Sequence, residues 1–376
     1  MMLIYTLALF FIVFVYSVLI TVYAFVLLKF YRTQKINAPD LPLTTITVVV
    51  ALRNEEHNIR QCILSLANQN YPSQFFEVIL VNDHSTDNSL EEIHKIIKEV
   101  NVPFSIYSLN DTEGKKSAIC KGVKYAKNKL IALTDADCVV NENWLKSISD
   151  TYALTHANMI LGTVVFENNT TVFQKIQSLE LLSYQGVTIS STLLKNPILA
   201  NGANIAYERD KFLEFEKEFS ESKTASGDDV FLLHLFKKKY AVAYNSFHSG
   251  IVKTQATKTL KEFIEQRKRW ISKSTKYTDS FAIINSGIVF ISNLLLTTGM
   301  IISLFNPDLI RIVCILFLVK TSVDFFFLYL VTKITNHLKL LWLVAPLQVF
   351  YIFYIPIVSL LAFNSTFNWK GRIYKK

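Results

Sequence analysis

Three long stretches of the chain carry no charged residue: 3–28, 281–305 and 340–363. Each is long enough to cross a hydrocarbon core of about 30 Å, which takes about 20 helical residues. A further apolar run, 309–332, is interrupted by Lys320 and Asp324, four positions apart. Between the first two charge-free stretches lies a polar block with a different rhythm. "TITVVVAL" (45–52), "FEVILVN" (76–82), "PFSIYSL" (103–109) and "KLIALTD" (129–135) are short apolar runs, the pattern of strands buried in a sheet. Between them, Ile59, Ile63, Leu66 and Ala67 recur at helical spacing before Pro72, and Ile93, Ile96, Ile97 and Val100 do the same. "KKSAICKGVKYAK" reads as a third helix. This alternation predicts an α/β domain with a mostly parallel sheet and helices on both faces. The expected organisation is a membrane anchor at 1–31, the sheet domain at 32–280, about three membrane helices at 281–363 and a basic tail at 364–376.

The composition agrees. The chain is 51% hydrophobic and only 18% charged, too apolar for an ordinary soluble enzyme. The first apolar stretch lacks a basic start and a small-residue cleavage site, so it reads as a retained anchor, not a signal peptide. Lys29, Arg32 and Lys35 follow it. By the positive-inside rule they place the sheet domain in the cytoplasm of a multi-pass cell-membrane protein. Three full crossings after that domain put the tail outside, yet Lys370, Arg372, Lys375 and Lys376 favour the cytoplasmic side. Pro346 and Pro356 interrupt the last apolar stretch, so a shallow or re-entrant segment with a cytoplasmic tail is expected. The net charge of +9 comes from residues that are dispersed or adjacent to apolar stretches. Anionic lipid head groups, and not nucleic acid, are the expected partners. Four cysteines without CxxC or zinc spacing are expected to be reduced.

Ligands of parallel sheets bind beyond the carboxyl ends of the strands. Arg53, Glu55, Asp83, Asp135 and Asp137 all fall there. Neither GxGxxG nor GxxxxGK[ST] occurs, so a dinucleotide fold and a P-loop are not supported. In "LTDADC", Asp135 and Asp137 lie two apart on an extended segment and face the same way. Two hard carboxylates there suit Mg2+ or Mn2+ with open positions for phosphate oxygens, although a solvated acidic turn has the same pattern. "SGDD" before "VFLLHLF" is also good chemistry for a helix start. His84 has no second ligand at metal spacing and reads as a turn residue. Lys320 and Asp324 read as an ion pair inside a helix bundle. Residues 171–195 form either an interfacial helix or an ordinary core helix.

"VVVALRNEEHNI", "ILVNDHSTDNS", "GKKSA", "LTDADC", "NGANIAYERDKF", "SGDDVFLL" and "QRKRW" occur in this order between about 44 and 275. Together they resemble the membrane-bound family 2 glycosyltransferases of GT-A fold, in the group with ceramide glucosyltransferases and poly-N-acetylglucosamine synthases. The resemblance implies that Arg53, Glu55, Asp83, Lys115 and Asp135 hold the nucleotide sugar, and that Asp135 and Asp137 hold Mg2+ or Mn2+. It implies Asp229 as general base, with Asp228 capping or supporting it. Gly202, Asn204, Gln266, Arg269 and Trp270 would surround the acceptor and the diphosphate. Asp83 sits in "NDHS", where the family often has DDGS, and Asp228 replaces the Glu of EDxxL. The implied activity is inverting transfer of a sugar, from a UDP-sugar foremost, to a membrane lipid or lipid-linked acceptor at the cytoplasmic face. A processive polysaccharide synthase and a non-catalytic membrane scaffold are the alternatives. In "EFIEQRKRWISKS" (262–274), Gln266, Arg269 and Trp270 share one helical face. Leu260, Phe263, Ile264 and Ile271 supply an apolar side, and Arg267, Lys268 and Lys273 are left for lipid phosphates.

Overall fold

The N-terminal apolar run forms one helix, α1 (Met2–Thr33). Leu3, Leu7, Phe10, Phe14 and Phe25 point outward, while Leu9, Val13, Tyr16, Ile20, Tyr23 and Leu27 are buried. The three-to-four-residue recurrence gives α1 one side for hydrocarbon and one for protein. The computed structural model describes residues 2–33, 41–167, 169–221, 228–274, 278–362, 367–369 and 372–374.

The polar block opens with β1 (Ile46–Leu52), α2 (Ile59–Ala67), β2 (Phe76–Asn82), α3 (Ser89–Ile97), β3 (Phe104–Ser108), α4 (Lys115–Tyr125) and β4 (Leu130–Asp135). These elements fall within a residue or two of where the apolar pattern places them, apart from the frayed helix ends. Further elements follow: α5 (Trp144–Thr155), β5 (Met159–Leu161), β6 (Val164–Glu167), α6 (Val172–Leu193), β7 (Ile205–Glu208), α7 (Arg209–Leu213), α8 (Glu216–Glu221) and α9 (Asp228–Phe236). Then come β8 (Val242–Tyr244), β9 (Val252–Gln255) and α10 (Leu260–Ser274). Seven strands form one sheet in the order β3-β2-β1-β4-β7-β5-β8. Its pairs are parallel except those of β7, which runs antiparallel to β4 and β5. Successive strand residues feed opposite faces. Val48 and Val50 join Ile63, Leu80 and Trp144 on one side, and Val49 joins Ile79, Ile119, Ile131 and Phe212 on the other. This is the mostly parallel α/β sheet with both faces covered that the sequence predicts.

Three apolar helices complete the chain, α11 (Ser280–Ser303), α12 (Pro307–Ile334) and α13 (Val344–Ala362), followed by strands β10 (Phe367–Trp369) and β11 (Arg372–Tyr374). With α1 they make four helical stretches long and apolar enough to cross a membrane. Lys320 and Asp324, in the middle of α12, are buried and paired, as expected: Lys320 Nζ lies 2.7 Å from Asp324 Oδ2. Tyr16 donates to the other carboxylate oxygen at 2.6 Å, and Lys320 also reaches Gln348 Oε1 at 3.2 Å. The pair therefore ties α1, α12 and α13 together, which is how ionised groups persist in a bundle. Phe325 and Phe326 face outward, and Phe327 packs inside. β10 pairs antiparallel with β11 and lies against α10, on the sheet domain's side of the bundle. Lys370, Lys375 and Lys376 lie outside the described residues.

Helix α6 joins the two halves. A capping box fixes its start, with Thr171 Oγ1 accepting from the Gln174 N–H at 3.2 Å. It packs on β6 and β8 on one side and on α1 and α12 on the other. Most of it is buried, so the core-helix reading describes it, although Val172, Tyr184 and Leu193 keep more than a third of their surface exposed. Gly186 permits the closest approach: a Cβ there would meet Val331 Cγ2 at 2.4 Å and Phe327 Cζ at 2.6 Å. Gly186→Val should therefore overpack the α6–α12 contact at a cost of ~1–3 kcal/mol. Thermal unfolding in detergent should show a lower midpoint than the unmodified protein. An unchanged midpoint would mean that α6 does not press on α12.

Candidate active site

The strand ends on one side of the sheet bring the acids together. Asp83 closes β2 and is almost fully buried. Its Oδ2 accepts from the Gly114 N–H at 3.0 Å, and its Oδ1 lies 3.1 Å from His84 Nδ1. His84 holds φ +54°, a left-handed turn conformation that glycine adopts without cost and histidine tolerates. Asn82 accepts the Ser85 N–H at 3.1 Å through its side chain and so shapes the same turn. Arg53 bridges from the end of β1, donating to the Asp83 and His84 carbonyls at 2.8 and 2.9 Å. Glu55 is mostly buried, with its N–H on Ser89 Oγ at 2.7 Å and its Oε2 accepting from Asn58 at 2.9 Å.

Gly114, at φ +94°, turns the chain into α4. The following residue, Lys115, forms an ion pair with Asp135 at the end of β4. Asp137, two residues on, accepts from Thr254 Oγ1 of β9 at 3.4 Å and from Cys138 Sγ at 3.5 Å. Burial first, then the Asp137 and Asp135 carboxylates, push the Cys138 thiol well above its ordinary value. Cys62, behind the same turn, is raised by burial first and then by Asp137, Asp135 and Glu55. Both thiols stay protonated, and all four cysteines are free, as expected. Among the described residues no group of three or more His, Cys, Asp or Glu side chains surrounds a metal position. Asp135 and Asp137 both line the cleft, and two such carboxylates suit an ion that takes the rest of its shell from water and phosphate oxygens, as Mg2+ does.

Two polar cavities share Lys115, Asp135, Asp137 and Arg269 and form one cleft. Arg53, Glu55 and Asp83 line one part of it, and Gly202, Asp229, Gln266 and Trp270 the other. Asp229, in the first turn of α9, accepts the Gly202 N–H at 3.1 Å and the Val230 N–H at 2.8 Å. Gly202 thus positions Asp229 with its backbone. A third, apolar cavity of about 380 Å3 runs between α1, α6, α11 and α13. It shares Leu181, Asn201, Asp229 and Trp270 with the polar cleft.

Two expected positions differ. Asn204 does not reach the cleft. It is buried and donates to the Thr163 and Gly250 carbonyls at 2.7 and 2.8 Å while accepting from Trp144 Nε1 at 3.0 Å. A buried amide needs such partners, and here they cross-link the scaffold beneath the cleft. Arg267 is not a lipid-facing cation either. Its side chain is 3% exposed and grips Glu180 of α6, which is 4% exposed, through Nε at 3.1 Å and Nη2 at 2.5 Å. Its Nη1 donates to Gln266 Oε1 at 2.5 Å, and its guanidinium lies 4.3 Å from the ring centres of both Phe263 and Trp270. Tyr184 donates to Glu180 at 3.1 Å and meets Trp270 edge-on. Of the other cations assigned to lipid, Lys268 pairs with Glu265 at 3.0 Å, and the Lys273 side chain lies outside the described residues, as does that of Asp228, the residue expected to cap or support Asp229. The signal for Arg267 was present: Phe263, Arg267 and Trp270 stand at i, i+4 and i+7, one helical stripe.

Residues 47–215 match the family model described as glycosyl transferase family 2. A poly-beta-1,6-N-acetyl-D-glucosamine synthase of Staphylococcus epidermidis is 26% identical over 170 residues, 45% of this chain and 40% of that protein. One from Staphylococcus aureus (strain COL) is 28% identical over 193 residues, 49% of this chain and 46% of that protein. The match thus spans less than half the length of these curated relatives. The solved structure of a mannosyltransferase from Pyrobaculum calidifontis, in complex with GDP-Man and Mn2+, aligns over 89% of this chain and 98% of its own. At a TM-score of 0.54 and 16% identity it shares the fold.

Removing one partner of a buried ion pair leaves an uncompensated charge, at a cost of ~3–5 kcal/mol, whereas replacing both with apolar groups is often neutral. Arg267→Met alone should lower the unfolding midpoint, and the double variant Glu180→Leu/Arg267→Met should recover most of the loss. Weakened lipid association with an unchanged midpoint in Arg267→Met would instead restore the lipid-facing assignment.

Proposed function

We propose that this chain, which carries a family 2 glycosyl transferase domain of GT-A fold over residues 47–215, moves a sugar from a nucleoside diphosphate sugar to an acceptor held in the membrane. The observation that carries this reading is the meeting of the polar cleft and the apolar cavity at Asp229 and Trp270. Arg53, Glu55 and Asp83, which line the part of the cleft away from Asp229, are the groups for base and ribose. Lys115 and Arg269, with Asp135 and Asp137 between them, are the groups for the diphosphate. Mg2+ or Mn2+ held by the two aspartates supplies positive charge to the leaving diphosphate. Lys115, paired with Asp135 here, and Arg269 add cationic side chains at the same place. Asp229 stands where the two cavities join and takes the proton of the attacking group. One base and one displacement make the transfer inverting. The cationic end of α1 supports, by the positive-inside rule, a sheet domain at the cytoplasmic face.

A second reading, a processive polysaccharide synthase, is favoured by the printed names of the Staphylococcus relatives. One assay separates the two. Membranes containing the full chain receive radiolabelled UDP-sugars and GDP-mannose with Mn2+ or Mg2+, followed by lipid extraction and sizing. The proposal expects a short glycolipid. It also expects loss of transfer on chelation with recovery on adding the ion back, and a fall of roughly 10²–10⁴ in rate for Asp229→Asn. Long polymer would favour the second reading, and full activity in Asp229→Asn would overturn the assignment of the base.

A further inference from the structure

The apolar cavity also bears on which acceptor enters, an argument that rests on the transferase reading above. Its walls are Leu19 and Ile20 of α1, Ile198 and Leu199 before β7, and Val289 and Phe290 of α11, among others. Apart from Asp229, the polar side chains that line it are neutral, and several make hydrogen bonds inside the protein. Tyr184 donates to Glu180, Thr188 to the Tyr184 carbonyl at 2.9 Å, and Ser286 to the Ala282 carbonyl at 2.8 Å. Gln185 accepts the Val164 N–H at 3.3 Å, and Asn285 accepts from Tyr23 at 2.7 Å and donates to the Phe281 carbonyl at 2.7 Å. Among the described residues, the only ionisable groups besides the tyrosines that line the cavity are carboxylic, namely Asp229 at the junction.

We infer that this cavity takes the apolar chains of an uncharged lipid and presents its free hydroxyl to Asp229. Two physical arguments select that class over a polyprenyl phosphate. A phosphate is already ionised near neutral pH and needs no base, whereas a hydroxyl must lose its proton as it attacks. A phosphate seated beside Asp229 would also place like charges together at the edge of a cavity whose described walls carry no Lys or Arg, while Lys115 and Arg269 of the adjoining cleft are taken by the donor's diphosphate in the transferase reading. In the step, the hydroxyl oxygen bonds to the anomeric carbon as the bond from that carbon to the diphosphate oxygen breaks. The hydroxyl proton passes to Asp229, and the nucleoside diphosphate leaves with the bonding pair.

The test uses the full chain in phosphatidylcholine vesicles with Mn2+ and the radiolabelled donor that gives product in membranes. The vesicles carry either 1,2-dioleoylglycerol or undecaprenyl phosphate. The expected result is a neutral glycolipid from dioleoylglycerol, formed roughly 50-fold or more faster than any product from undecaprenyl phosphate. Faster transfer to undecaprenyl phosphate would overturn this inference and leave the transferase reading intact. Polymer or free sugar formed equally with both vesicles would overturn the reading of transfer to a membrane-held acceptor as well. As a second measurement, Ser286→Lys places a cation in the cavity and should shift the ratio of the two products toward undecaprenyl phosphate. A ratio that does not move in folded protein counts against the cavity as the seat of the acceptor.

Discussion

The buried pair between Arg267 of α10 and Glu180 of α6 is the contact on which the shape of the site depends. Helix α6 is fixed on one side by the sheet domain and on the other by α1 and α12. Helix α10 carries Gln266, Arg269 and Trp270 to the cleft. The pair locks the second to the first through hydrogen bonds that leave little of either charge in water. A buried pair gives little net stability when compared with apolar packing, but it penalises any arrangement that separates its members. Here the separated arrangement is one in which α10 swings off the cleft. Trp270, stacked against the same guanidinium and edge-on to Tyr184, is held where the polar cleft gives way to the membrane cavity.

That placement connects two environments with opposite demands. A nucleoside diphosphate needs cations and water-compatible walls, and Lys115 of α4, Arg269 of α10 and the aspartates at the strand ends would supply them. A membrane-held acceptor needs apolar walls, and α1, α6, α11 and α13 supply those. The two meet at Asp229, whose orientation is set by backbone N–H groups from Gly202 and Val230. The carboxylate is thus aimed by rigid elements on both sides, the condition for a base to act in a defined geometry.

Much of this was legible in the amino-acid sequence. The β-branched runs that became β1, β2, β3 and β4 repeat along a local stretch, so the pattern alone marks them and puts Asp83, Asp135 and Asp137 at strand ends. The later strands were not legible. β5, β7 and β8 are three or four residues long, and their neighbours in the sheet lie far away in sequence, so no local period announces them. Asn204 looked like a site residue because its motif includes Gly202, but it lies in the turn before β7, where Thr163, Gly250 and Trp144 take up its amide. Arg267 was misplaced for a different reason. Its charge suggested lipid, while its spacing from Phe263 and Trp270 placed it on the buried stripe. Glu180, a lone acid in an otherwise apolar helix, was the cation partner waiting to be found.

The central claim is that donor and membrane-held acceptor meet at Asp229. The most direct measurement is a cryo-EM map of the full chain in a lipid nanodisc with Mn2+, a nucleoside diphosphate sugar and dioleoylglycerol. The account predicts the diphosphate between Lys115 and Arg269, and the lipid hydroxyl within hydrogen-bond reach of the Asp229 carboxylate with its chains between α1, α6 and α11. A donor bound outside the strand-end cleft, or a lipid whose hydroxyl lies away from Asp229, would contradict it.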